Sequence, residues 1–295
     1  MPLVPPVTIA TLPVSLPTSP SSEGKGYPTG YRVLNDRSCA PGKSIAELGS
    51  RAFSCYAVAM IQGAIFDMDG VLVDNLEYHI RAWQKLGREH GRNLSRESVR
   101  RVFGQRNDEM IRSLFGSPLS RDVILLYATR KEEVYRALMA PELAPVPGLV
   151  RLLAGLNGAG MKSAVATSGP RENANLVLDG LNLRQHFDAI ITGDDVSRSK
   201  PHPDIFLLAA RRIGLPPEQC VVFEDSSAGI EAASRAGCAC IALSTTYPAS
   251  ELQAYQTALI VPDFLTLSAS ALKELRGTVT SVPAQREEGN AKPKA

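Results

Sequence analysis

No stretch of the sequence is apolar over anything near the roughly 20 residues that a membrane-spanning helix needs, so no engagement with a bilayer is expected. An excess of one charge is missing too. Against 32 Lys and Arg stand 30 Asp and Glu, a net of +2, which leaves no electrostatic footing for nucleic acid or an anionic membrane surface. Cysteine is scarce: there are five, an odd number, and Cys238 and Cys240 are one residue apart, which matches neither a CxxC redox pair nor a zinc knuckle. Reduced, buried thiols in a cytoplasmic protein are the expectation. Internal repeats are absent. What remains is 295 residues, 44% apolar and 21% charged, enough for a large core and two domains.

Residues 1–59 stand apart. "MPLVPPVTIATLPVSLPTSPSSEGKGYPTG" is rich in Pro, Ser, Thr and Gly and has neither a helical nor a strand period. Proline fixes φ and removes backbone donors, so the stretch suits polyproline II or disorder. Three readings stand: a natural tail, an organellar targeting segment poor in acids, or a reading frame extended upstream of Met60. Residues 276–295, charged and proline-containing, are expected to be a flexible tail.

Between these ends the pattern is regular. "GAIF" (63–66) reads as a buried strand. From Glu77 to about Met139 apolar residues recur at helical spacing with no strand signal, and the segments beginning Ser95, Asn107 and Ser120 each open on a plausible cap. A Pro-rich hinge (140–148) follows. Strands are then expected at 162–167, 188–192, 220–224 and 238–243. Helices are expected at 149–158, from Pro170 to Gly180, at 202–213 and at 228–237. Strands alternating with helices imply right-handed crossovers and a parallel sheet. The fold class is therefore α/β, a Rossmann-like three-layer parallel sheet core (60–76 and 146–275) with an inserted α-helical cap domain (77–145). Such an insertion sits over the carboxyl ends of the strands, where open α/β sheets bind ligands.

Chemistry gathers at those ends. Asp67 and Asp69 follow the first strand, and Thr167, Ser168 and Gly169 follow the second. Lys200 lies in "SRSKPHPDIF", and Glu224 and Asp225 close the "CVVFE" strand. Taken singly, each has a bland role: a loop acid, a helix cap, a solvated lysine, an acid at a helix start. Together and in this order they are more telling. Clustered carboxylates repel and call for a cation. Oxygen ligands without Cys or His favour Mg²⁺. A hydroxyl before a helix N-terminus cradles an anion, and a lysine neutralises a transferring phosphoryl group. One acid can attack phosphorus while a second moves the proton.

Four segments, "DMDGVLVD", "VATSG", "KPHPDIF" and "VVFEDSSAGIEAA", resemble in content and order the four motifs of the haloacid dehalogenase superfamily, in the branch (subfamily IA) with a helical cap after the first motif. The resemblance covers about residues 60–265. It implies Asp67 as nucleophile and Asp69 as general acid and base. Thr167 and the Ser168 N–H, with Gly169, would bind phosphoryl oxygens, and Lys200 would bridge phosphate and nucleophile. Mg²⁺ would be held by the Asp67 carboxylate, the Asp69 carbonyl and Asp225, with Glu224 close by. Asp74 is left as a linker.

Within the branch, "DGVLVDNLEYHIRAW" is similar to β-phosphoglucomutase, including His79, and Arg106 and Lys131 fall on cap positions of that enzyme. The mutase's Ser-Lys-Asn grip on a distal phosphate is replaced by Gly169-Pro170-Arg171, with Arg171 as a possible substitute. "GQRNDEM" and "SGPRENANLVL" look more like sugar-phosphate phosphatases. The expectation is a phosphatase acting on small phosphorylated metabolites through an aspartyl-phosphate, with a sugar-phosphate mutase as the alternative and a catalytically silent sugar-phosphate binder behind both. A monomer or weak homo-oligomer is expected.

Overall fold

The computed structural model describes residues 31–32, 58–116 and 118–275. Most of the 1–59 extension, the tail after 275, Cys39 and Cys55 lie outside the described residues. Six strands form one parallel sheet: β1 (Gly63–Phe66), β2 (Lys162–Ala166), β3 (Ala189–Ile191), β4 (Cys220–Glu224), β5 (Ala239–Leu243) and β6 (Leu259–Val261), ordered β3-β2-β1-β4-β5-β6. The order reverses between β1 and β4, and the carboxyl ends of those two strands flank the crevice where such sheets take ligands. The doubly wound sheet implied by the alternation of strands and helices is the fold of this chain.

Strand periodicity explains the two cores. Ala64 and Phe66, Val221 and Phe223, and Ala239 and Ile241 point to one face. Ile65, Val222 and Cys240 point to the other. Helix α5 (Leu149–Gly158) covers the first face, while α7 (Asp204–Arg212) and α8 (Ser227–Ala236) cover the second. Both faces being buried, the strands read as continuous apolar runs rather than alternating ones. Phe66 stacks on Phe223 with centroids 4.6 Å apart. Truncating such a ring to alanine costs about 3–5 kcal/mol. The three described cysteines, Cys220, Cys238 and Cys240, are buried and unpaired.

Between β1 and β2 the chain builds four helices, α1 (Leu76–Glu89), α2 (Arg96–Arg101), α3 (Asn107–Phe115) and α4 (Arg121–Met139). Their apolar faces meet in a separate cluster around Ile80, Trp83, Leu86, Val99 and Ile111. Ser95 and Ser120 cap α2 and α4, accepting from Ser98 N and Val123 N. Asn107 does not cap α3. Arg106 occupies the cap position, and Asn107 is the first helical residue, its amide donating to Glu132 at 2.7 Å. Pro170 likewise caps α6 (Arg171–Gly180) from outside instead of opening its first turn. Strand β6 went unread because three residues at a sheet edge, grading from exposed Leu259 to buried Val261, carry no period. No described helix is long and apolar enough to cross a membrane.

Candidate active site

Asp67 leaves β1 with its N–H still donating to Phe223 O at 3.0 Å, so the sheet holds its backbone. The chain then turns at Gly70, where φ is +76°. A Cβ there would lie 1.8 Å from Asp225 Oδ2, so the turn requires glycine for its dihedral and for the carboxylate beside it. Lys200 Nζ donates to Asp67 Oδ1 at 2.8 Å and to Glu224 Oε1 at 2.6 Å. The other Glu224 oxygen accepts from Asp225 N, Ser226 N and Ser226 Oγ at 2.8, 2.8 and 3.0 Å. Gly229 makes room for that carboxylate, since a Cβ there would stand 1.7 Å from Glu224 Oε1. Asp225 accepts from Thr246 Oγ1.

Asp67, Glu224 and Asp225 each offer an oxygen within 4.8 Å of the others, all buried. One ammonium faces three carboxylates. Burial pushes Asp67 up to about 7; Lys200 pulls against that, while Glu224 and Asp69 add to it. Burial, then the charges of Glu224 and Asp67, push Asp225 well above the usual carboxylate range. Burial opposes the charge on Lys200, but Asp67 and Glu224 outweigh it and hold the ammonium above its ordinary value. The cluster is short of positive charge, and its hard oxygen donors fit a Mg²⁺-sized divalent cation.

A second network surrounds Asp69. Asn75 Nδ2 donates to Asp69 Oδ1 and to Tyr135 Oη, both at 2.6 Å. Lys131 Nζ lies 2.8 Å from His79 Nδ1. An ammonium only donates, so Nδ1 accepts and the ring proton is assigned to Nε2, 3.3 Å from Asp69 Oδ1. Burial and then the Lys131 charge push His79 down, so the ring is neutral at pH 7 and reaches Asp69 as a hydrogen-bond donor. Burial would raise Asp69, but His79, Asn75 and Lys131 prevail and hold it below the usual carboxylate range. His79 stacks on Tyr135 at 3.9 Å.

Asp67, Asp69, His79, Ser168, Gly169, Asp225 and Lys131 line one pocket. Thr167 is buried beneath it, its Oγ1 accepting from Gly169 N at 3.0 Å. The two arginines expected at a distal phosphate, Arg171 and Arg106, do not line this pocket. Arg171 is drawn outward to Asp195, at 2.5 Å, by the acidic turn after β3. Arg106 donates to Val196 O at 3.0 Å and faces a neighbouring cavity. Asp74 is exposed. Asn75, Glu132, Tyr135 and Thr246 went unnoticed. Asn75 had a signal, its four-residue spacing to His79 at the head of α1, whereas Thr246 is one of four consecutive hydroxyl residues, Ser244 to Tyr247, after β5. The same loop reaches further: Thr245 Oγ1 donates to Gly70 O at 2.6 Å, and Tyr247 Oη to Arg100 O of α2 at 2.7 Å. Arg100 lies over the Tyr247 ring at 5.0 Å and donates to both Glu251 oxygens at 2.7 and 2.9 Å.

Residues 64–243, more than half of the chain, match the model of the haloacid dehalogenase-like hydrolases. The chain belongs to that family. Among relatives of this hydrolase, validoxylamine A 7'-phosphate phosphatase from Streptomyces hygroscopicus subsp. limoneus is 37% identical over 65% of this chain and 90% of its own length. A phosphorylated carbohydrates phosphatase from Thermotoga maritima is 33% identical over 60% and 82%. The crystal structure of β-phosphoglucomutase from Clostridium difficile superposes with a TM-score of 0.66 and 27% identity, covering 73% of this hydrolase and 96% of that chain.

Proposed function

We propose that this hydrolase is a Mg²⁺-dependent phosphatase that removes phosphate from small phosphorylated sugars and polyols through an aspartyl-phosphate on Asp67. The observation that carries this reading is the pairing of Asp67, 2.8 Å from Lys200 and beside the Ser168–Gly169 turn, with a second acid, Asp69, held by its own network. Relatives that act on phosphorylated carbohydrates support it.

Asp67 attacks phosphorus, forming the new O–P bond as the ester P–O bond breaks, and the electron pair leaves with the sugar oxygen. Asp69 gives that oxygen a proton. Asp69 then takes a proton from water as the water attacks the phosphoaspartate, which releases phosphate and restores Asp67. Lys200 offsets charge on the phosphoryl group, and the Ser168 and Gly169 turn contacts its oxygens. Without substrate or cation Asp69 is held ionised, while Asp67, raised to about 7, takes up a proton only as pH falls through that value. A phosphoryl dianion beside Asp69 raises that carboxyl in turn, so the acid becomes protonated as substrate arrives. Asp67, Asp225 and the Asp69 carbonyl would hold Mg²⁺, with Glu224 behind them, and the ion would supply charge neutralisation at the phosphoryl oxygens. The four inserted helices act as the cap over this site.

A mutase reading has support in the likeness to β-phosphoglucomutase. A mutase must grip a second phosphate, and the two arginines expected to do so are engaged elsewhere, Arg171 with Asp195 and Arg106 with Val196 O. The test is phosphate release from p-nitrophenyl phosphate and a sugar-phosphate panel with Mg²⁺, abolished in Asp67→Asn. Incubation of β-glucose 1-phosphate with a trace of the 1,6-bisphosphate separates the two. Glucose 6-phosphate as product would overturn the phosphatase reading, and inorganic phosphate supports it.

A further inference from the structure

Lys200 sits on neither a strand nor a helix. It lies in the loop between β3 and α7, and its ammonium reaches Asp67 from there. The core holds this loop on either side of Lys200. Asp195 is tied to Arg171, and the Pro201 carbonyl accepts from Arg235 Nη1 of α8 at 3.0 Å. Between those anchors Ser197 and Arg198 are exposed, and Arg198 turns to Asp204 at 2.7 and 2.9 Å. The stretch from Val196 to Ser199 is also held from the inserted helices. Arg106 donates to Val196 O at 3.0 Å, and Glu109, in the first turn of α3, accepts from Ser199 Oγ.

The second of these contacts bears directly on the site. Ser199 immediately precedes Lys200, and both are buried. Among the described residues, neither the Ser199 hydroxyl nor the Glu109 carboxylate has another hydrogen-bond or ion-pair partner. A hydrogen bond to an ionised acceptor is stronger than a neutral one, and a buried hydroxyl left without a partner is costly. If α3 withdraws, Ser199 must find a new partner in water, and the peptide that carries Lys200 moves with it. A shift of about 1 Å in a group that positions the chemistry can cost about 10²-fold in rate.

We propose that Glu109 is a positioning residue for phosphoryl transfer: by accepting from Ser199 it fixes the peptide that carries Lys200, so the ammonium is set at Asp67 only while α3 is docked on this loop. The inference rests on the phosphatase reading above. It gives the inserted helices a part in the chemical step, separate from any grip on the substrate.

Wild type, Glu109→Ala, Ser199→Ala, the double variant and Glu109→Gln are compared on glucose 6-phosphate and p-nitrophenyl phosphate with Mg²⁺, with Asp67→Asn as the blank. Each alanine variant should lower kcat roughly 10–100-fold on both esters, with KM within about twofold of wild type. The double variant should be no slower than either single one, since both break the same hydrogen bond. Glutamine keeps an acceptor oxygen for Ser199, so Glu109→Gln should recover most of the rate. Ser199→Ala removes a single oxygen from the core side and tests the contact even if Glu109→Ala does not fold. A rise in KM at unchanged kcat, a loss confined to glucose 6-phosphate, or losses that multiply in the double variant would overturn the positioning role and leave the phosphatase reading standing. No Asp67-dependent release from either ester by wild type overturns the phosphatase reading, and the positioning role with it.

Discussion

Replacing Asp67 by asparagine should make the cation-free protein more stable, increasingly so as pH rises. Burial beside Glu224 and Asp69 moves the Asp67 carboxyl from 3.8 to about 7. An acid whose folded pKa lies above its unfolded value binds its proton more tightly in the folded state. Its contribution to stability is therefore complete below about pH 4 and is lost as pH rises towards about 7. At about 1.4 kcal/mol per pKa unit, the loss comes to roughly 4 kcal/mol. Asparagine keeps the shape and carries no charge. In EDTA, Asp67→Asn should therefore exceed wild type by roughly 1–2 kcal/mol at pH 5 and roughly 4 kcal/mol at pH 8. Urea unfolding followed through Trp83, the single tryptophan and fully buried, measures this directly. Saturating Mg²⁺ should close most of the gap, because a cation favours the ionised carboxylate. A difference between variant and wild type that does not change with pH would refute the account of three carboxylates sharing one ammonium.

Lys200→Met should abolish phosphate release and cost about 3–5 kcal/mol in urea unfolding at pH 8, since it leaves buried carboxylates without their ammonium; an unchanged midpoint would contradict the ion-pair geometry. Thr246→Val removes the hydroxyl that donates to Asp225, and calorimetry should find Mg²⁺ bound about 10–100-fold more weakly with the fold intact. Lys131→Met frees His79 Nδ1, and the NMR titration of that ring should shift upward from its depressed position; no shift would break the link from Lys131 through His79 to Asp69.

The parallel sheet was legible because strands buried on both faces read as short unbroken apolar runs, as "GAIF" and "CVVFE" do. Chemistry placed directly after such runs must share one edge of the sheet, so Asp67, Thr167, Glu224 and Asp225 could be grouped before any coordinates, with Lys200 joining them from further along the loop after β3. Side-chain direction was not legible. Arg171 sits two residues past Gly169, yet the acidic turn after β3, remote in sequence, decides where its guanidinium goes. Asn107 has the chemistry of a cap, but buried Glu132 on α4 competes for its amide and wins. Thr246 matters only through a tertiary contact, which leaves no periodicity or spacing behind.

The loop after β5 has a mechanical consequence. Thr245 holds the carbonyl of Gly70, Thr246 holds Asp225, and Tyr247 holds α2 through Arg100. Three neighbouring residues thus grip the turn after Asp67, the Asp225 carboxylate and helix α2. If α2 swings away, either the Tyr247–Arg100 bond snaps or the loop is dragged along and both other grips slacken. In the second case, on the phosphatase reading proposed above, opening for substrate and loosening a cation at Asp225 become one motion, and an enzyme trapped open would also be one that leaks its metal.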